Sequence, residues 1–194
     1  MLDNVYITIL FVAALMFLDY YLTIKSLKLA EQGYTKHIRL ETLELNPSLR
    51  GSVDRKKYSW KHFLGVIFAA VVIYFFYYLA KNNLVFSMDT YFMFQGMILS
   101  IFIFINASHM RNLIVFNTIK KDKTLLSGKL KQKHLFSLKS TMADALKVFV
   151  ILISLFLFSP SYFTFGFAAG PLLLVLKGKS WIKKHLKEIN SSKH

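Results

Sequence analysis

The sequence predicts an all-α fold: a polytopic membrane helix bundle of five transmembrane helices, the last two forming a short hairpin. Three observations lead there. Apolar residues fill 55% of the 194 positions and charged ones 18%, against roughly 45–50% and about 25% in soluble domains. The apolar residues gather in long runs. The basic residues gather in the blocks between them.

A bilayer core of about 30 Å needs roughly 20 apolar residues as a helix. The first run, 5–24, meets that length and holds one charge, Asp19. The residues ahead of it, Met1 to Asn4, lack a basic n-region, so it reads as a span rather than a cleaved signal peptide. The second span is 63–80, with Ser59 as its N-cap. The third is 91–116, apolar to Ile105 and then interrupted by Asn106, His109, Arg111 and Asn112.

The last apolar region, 142–176, is too long for one crossing without extreme tilt, at about 52 Å. Ser159-Pro160 in its middle is a helix-start signature, because proline is tolerated in a first turn. Two short helices, 142–158 and 160–176, follow from that break. Thr141 to Asp144 resembles a capping box for the first of them.

Orientation comes from the basic residues. The segments Lys25–Lys61 and Arg111–Lys147 hold nine each and the tail Lys177–Lys193 holds six, so 24 of 25 share one side and only Lys81 does not. The positive-inside rule makes that side cytoplasmic and puts the N-terminus outside the cytoplasmic membrane. Anionic lipids are the expected partners of such a face, at about 1 kcal/mol per Lys or Arg near the surface. Nucleic acid is disfavoured, since no helix-turn-helix, zinc-finger or aromatic-interleaved pattern accompanies the charge. The tail 177–194 reads as a basic amphipathic anchor, with Trp181, Lys183, Lys184 and Lys187 at headgroup level, or as a docking helix for a soluble cytoplasmic protein. Arg111 reads as snorkelling to lipid phosphate.

Polar residues inside the spans are the candidate binding residues. At 100° per residue Thr8, Asp19, Thr23 and Ser26 fall within about 60° of one another, and Gln95, Asn106, His109 and Asn117 within about 80°. Facing stripes would allow an Asp19–His109 pair. Such groups serve either as packing glue or as a site for an ion, a proton or another ligand.

The cytoplasmic loop 25–62 suggests an interfacial helix, because apolar residues recur at Ile38, Leu40, Leu43, Leu45 and Leu49. Asn46-Pro47 would stop it, and Gly33 would end the helical extension before it. Glu41 and Glu44 lie one turn apart, so with Asp19 and His109 they could hold a divalent cation. No other cofactor is evident. With Asp19, Thr23, Gly33, Glu44, Asn46 and Pro47 the segment resembles the D-x-x-x-T … G … E-x-N-P pattern of a family of small prokaryotic membrane proteins of unknown function. That resemblance implies that Asp19, Thr23, Glu44, Asn46 and Pro47 form one unit, and it brings no mechanism.

Known catalytic patterns are absent from the sequence. Zero cysteines exclude a disulfide framework, a thiolate nucleophile and Cys-ligated metal. There is no H-E-x-x-H, no G-x-S-x-G and no Gly-rich phosphate loop. Gly166 to Gly170 is a G-x-x-x-G match, read equally as packing within the hairpin and as a homo-oligomer contact. Three functional readings follow. The first is a non-enzymatic, homo-oligomeric membrane anchor or sensor subunit engaging anionic lipid or a cytoplasmic partner. The second is a small oligomeric ion or proton channel or transporter. The third is a metal-dependent membrane enzyme at the cytoplasmic leaflet.

Overall fold

The computed structural model describes residues 4–40, 59–125, 128, 130–132 and 134–191. Among the described residues the only regular structure besides helix is one three-residue strand pair. Among the described residues four helices are long and apolar enough to cross a membrane: α1 (Val5–Glu31), α3 (Trp60–Lys81), α4 (Met88–Lys121) and α5, apolar over Leu135–Phe158. The short α2 (Tyr34–His37) follows α1; α5 begins at His134, and α6 (Tyr162–Ser191) closes the chain. In lipid every backbone N–H and C=O must be satisfied within the chain, which helices achieve without a partner.

Asn4 starts α1, its Oδ1 accepting from the N–H groups of Tyr6 and Ile7 at 3.0 and 3.4 Å. The helix ends at Glu31, where the Gly33 N–H donates to the Ala30 carbonyl. Ser59 is the N-cap of α3, although its side chain makes no capping bond. Asn83, at φ 51°, turns the chain from α3 into α4 in the left-handed conformation that Asn tolerates. At its far end α4 stops at Asp122, which accepts from Thr124 N at 2.9 Å and Thr124 Oγ1 at 2.6 Å. Those two donors hold the Asp122 carboxyl below its ordinary range. This turn is therefore favoured at neutral pH and weakened as acid protonates the carboxylate.

Helix directions follow from the contacts. Tyr20 meets His62 and Tyr6 meets Tyr74, so α3 runs antiparallel to α1. Phe76 stacks on Phe94 at 4.2 Å between centroids, and Tyr77 packs edge-on to Tyr91, so α4 turns back again and runs parallel to α1. Gly166 and Gly170 of α6 abut Met93 and Met97 of α4, which makes those two helices parallel as well. Helix α5 runs against α6, with Phe156 beside Phe165 and Met142 beside Gly178. Thus α4 lies at the centre, flanked by α1 and α3 on one side and α6 on the other, while α5 lies outermost. Only 6% of the apolar window of α5 is buried, against 33% in α1 and α4.

Large apolar side chains cover the exterior: Leu10, Phe68, Leu157 and Phe158 are all at least 70% exposed. Each such side chain, left in water, would forgo about 1.5–3 kcal/mol of burial. The interior carries Thr8, Thr23, Ser26, Gln95, Ser100 and Asn106 instead. An apolar outside around a partly polar inside fits a lipid solvent.

Several expectations are corrected. The span expected at 142–158 begins at His134, so Thr141 to Asp144 is helix interior and caps nothing. The first arm of the hairpin is consequently not short: its 25 residues reach about 37 Å. The second arm starts after Pro160, not at it. Ser161 Oγ accepts from Thr164 N at 3.1 Å, and Thr164 Oγ1 accepts from Ser161 N at 3.0 Å, a reciprocal cap. Helix α6 then runs 30 residues through Pro171 and into the basic tail, so the tail to Ser191 continues that helix. It is not among the four helices apolar enough to span, because Gly166, Gly170, Pro171, Lys177 and Lys179 dilute its apolar run.

The interfacial helix is corrected at its start. Ile38–Leu40 is a strand, β1, paired in parallel with β2 (Leu130–Gln132) in the register Ile38↔Leu130. Two loops that leave the same end of the bundle are thereby tied together, and His37 Nδ1 lies 3.2 Å from the Gly128 carbonyl oxygen beside the ladder. The rest of that segment lies outside the described residues. Tyr34, packed on Phe116 at 4.6 Å, has its phenol pushed up by burial at this junction.

The G-x-x-x-G stripe packs within the protomer, but against α4 rather than against the other hairpin arm. A Cβ on Gly166 would collide with the Met93 carbonyl, and one on Gly96 would lie 2.9 Å from Phe167 N. The stripe that invites homo-oligomerisation is already covered by the same chain.

Candidate functional site

The two polar stripes face each other across the α1–α4 seam. Near its start, Gln95 Nε2 donates to Thr8 Oγ1 at 2.5 Å, with both residues buried. Eleven residues on, Asn106 Nδ2 donates to the Leu15 carbonyl at 3.0 Å and to the Phe102 carbonyl of its own helix at 2.8 Å. One amide thereby fastens α4 to the backbone of α1.

A turn further, three groups meet. The Thr23 hydroxyl donates to the Asp19 carbonyl at 2.9 Å, leaving Oγ1 as an acceptor 3.2 Å from His109 Nε2. With that hydroxyl proton committed, the geometry requires the proton on Nε2 of the imidazole. Asp19 Oδ1 lies 3.0 Å from the same nitrogen, close enough for charge attraction. The N–H points at Thr23 rather than at this oxygen, which accepts no aligned hydrogen bond. The contact is therefore an ion-pair approach when His109 is protonated. His109 and Asp19 retain 19% and 24% side-chain exposure.

A second histidine stands beside this group, and the sequence reading leaves it out. His62 of α3 stacks on Tyr20 at 4.5 Å and meets Phe17 edge-on at 6.0 Å. Its Nε2 is buried without a hydrogen-bond partner. Beginning the second span at Trp60 instead of Phe63 would have placed His62 inside it, where it draws notice. Asp19 thus occupies the junction of α1, α3 and α4.

Glu41, Glu44, Asn46 and Pro47 lie outside the described residues. Among the described residues no three His, Asp or Glu side chains are placed to hold a metal ion together. A divalent-cation site therefore stays an expectation that depends on Glu41 and Glu44. Arg111 does not simply extend to lipid phosphate. Its Nη1 is 2.7 Å from Asp144 Oδ2 on α5, with Lys147 Nζ at 3.7 Å from the other oxygen. Lys177 Nζ lies 5.0 Å above the Trp181 ring on α6, and Lys183 beyond it is exposed. The side chains of Lys184 and Lys187 are outside the described ones.

Most described Lys and Arg residues sit at one end of the bundle; Arg111, ten residues before the end of α4, and Lys147, midway along α5, lie deeper and meet at Asp144, and Lys81 lies at the opposite end. Those at the basic end come from the ends of α1, α4 and α6, the starts of α3 and α5, and the tied loops. Against known proteins, the chain matches no family model, no curated protein and no solved structure.

Proposed function

We propose that the chain is a non-enzymatic, multi-pass protein of the cytoplasmic membrane whose basic end engages anionic lipid headgroups, as a membrane anchor or sensor subunit. The observation that carries this reading is the gathering of cationic residues from five helices and two tied loops at one end. That end faces the cytoplasm under the positive-inside rule.

The seam argues against conduction through one protomer. Its two polar nodes, at Gln95 and Asn106, are about 16 Å apart along α4. Between them lie Val12 and Leu99, with Leu15, Ile98 and Phe102 packed around. A continuous ion path needs polar groups or water where these side chains sit. The hydrogen bonds on either side join one helix to another, as packing glue does.

Lipid engagement is tested on detergent-purified protein titrated with phosphatidylglycerol or phosphatidylcholine. A lipid that binds the native state at 100 times its Kd adds about 2.7 kcal/mol. Phosphatidylglycerol is expected to raise the unfolding midpoint. The rise should fade between 0.1 and 1 M salt as the screening length shortens from about 10 to 3 Å. The triple variant Lys183→Gln, Lys184→Gln, Lys187→Gln should show a smaller rise. Equal shifts from both lipids, or no salt dependence, would rule the reading out.

The same reading takes α6 as a fifth crossing, with the N-terminus outside and the C-terminus cytoplasmic. Because the chain has no cysteine, single cysteines report without background. In intact cells a membrane-impermeant maleimide should label Asn83→Cys and Ser161→Cys but spare Thr124→Cys and Ser180→Cys. Labelling of Ser161→Cys and Ser180→Cys alike would mean that α6 does not cross.

A further inference from the structure

Lys81 is the exception to the charge distribution. It stands alone at the end where basic residues are disfavoured by the insertion rule. It also lines a cleft of about 600 Å³ between the start of α1 and the end of α3, together with Asn4, Tyr6, Tyr74, Tyr77 and Tyr78. That volume lies within the range of about 300–1,000 Å³ that holds small ligands.

Among the described residues the lining carries a cation and no carboxylate, and Lys81 makes no ion pair. Its ammonium lies 5.7 Å from the Tyr77 ring, which steadies it there without using its N–H donors on an acceptor. The carbonyl end of α3 would repel an anion, but the Tyr78 carbonyl already accepts from Asn82 N and Nδ2, and the Ala80 carbonyl from Asn83 N. At the start of α1 the N–H groups of Tyr6, Ile7 and Thr8 are likewise taken by Asn4, which leaves Lys81 rather than either helix end to hold an anion. Tyr6 and Tyr74, with ring centroids 6.5 Å apart, form an aromatic wall of the cleft.

We infer that this cleft is a binding site for a phosphate-type anion, held by Lys81 and flanked by the tyrosines. The phosphate reaches it either on a lipid headgroup of the outer leaflet or as a free anion. The site is separate from the basic end and stands on different residues.

The test is calorimetric titration of the full chain in detergent with three probes: dihexanoyl-phosphatidylglycerol, dihexanoyl-phosphatidylcholine and inorganic phosphate. A saturable component is expected with the phosphatidylglycerol probe. Lys81→Gln should weaken it about tenfold or more, as for loss of a charge-assisted contact, and Lys81→Arg should restore it. The Lys183→Gln, Lys184→Gln, Lys187→Gln protein should retain it in full. Phosphate matching the lipid, with the same Lys81 dependence, assigns the site to a free anion; a response to the phosphatidylglycerol probe alone assigns it to lipid. Binding that survives Lys81→Gln, or that disappears in the tail variant, overturns the inference. Lys81 is exposed, so its replacement should leave the helices packed as they are.

Discussion

Gly166→Ala is expected to destabilise the protein by about 2 kcal/mol net, and Gly166→Val by more. A single added methyl has this effect because of what it meets. The Cβ of residue 166 would enter the space of the Met93 carbonyl, part of the backbone of α4, which no side-chain rotation clears. Overpacking of this kind costs typically about 1–3 kcal/mol, offset by about 1 kcal/mol that alanine gains over glycine as a helix former. The clash with backbone puts the first term at its upper end. Gly96→Ala should behave the same way, since its Cβ would strike Phe163 and Phe167 from the other side of the contact.

Gly65 supplies the control. A Cβ there meets only the end of the Met16 side chain, at 4.0 Å. Gly65→Ala should therefore leave stability unchanged or raise it by up to about 1 kcal/mol. Thermal unfolding in detergent, followed by far-UV circular dichroism, reads all four variants. A net loss of 2 kcal/mol corresponds to a Tm lower by about 4–8 °C in a chain of this size. If Gly166→Ala melted with the wild type, the close approach of α4 and α6 would be wrong.

That contact also shows what could be read in the sequence and what could not. The apolar runs locate α1, α3 and α4, because lipid demands a continuous apolar length whatever the helix packs against. The polar stripes were equally legible: a repeat near 100° per residue puts Asp19 and Thr23 on one face and Asn106 and His109 on another, and those faces meet. Partners across helices were not legible. Gly166 and Gly170 announced a close approach without saying which helix approached, and Gly96 gave no signal until it was seen opposite them. Arg111 and Asp144 lie 33 residues apart, and each had a sufficient local explanation, as a snorkelling cation and as a capping acid. Local explanations fail here because the ion pair is a property of how α4 and α5 are placed, not of either segment. The start of α5 was missed for a related reason. Residues 134–141 carry too few apolar side chains to look like a span, yet they extend a helix whose membrane portion lies further on.

Asp19, Thr23 and His109 are expected to behave as one stabilising unit rather than as a conducting site. Thr23 gives its proton to the backbone of α1 and takes one from His109, while Asp19 stands beside the same N–H. Removing either end should disable the same link. In a double-mutant cycle Asp19→Asn and His109→Gln should each lower stability by about 1 kcal/mol, and the double variant by little more than either alone. The coupling should be just under about 1 kcal/mol, between the average of about 0.6 and the maximum of about 1.7 kcal/mol measured for contacts between helices in one membrane protein. It should not reach the 3–5 kcal/mol associated with breaking a fully buried ion pair, because both side chains keep partial exposure. Reconstituted in liposomes under a pH gradient, wild type and Asp19→Asn should dissipate the gradient equally slowly. Faster dissipation by the wild type, abolished in Asp19→Asn while its melting midpoint falls only slightly, would make Asp19 a proton-carrying group and favour transport. Additive losses with no coupling would instead detach His109 from Asp19, leaving Thr23 as the sole partner of the imidazole. The cycle and the flux measurement are needed together, since a link that only stabilises and a site that also conducts both lose stability when Asp19 is changed. Only the second loses flux.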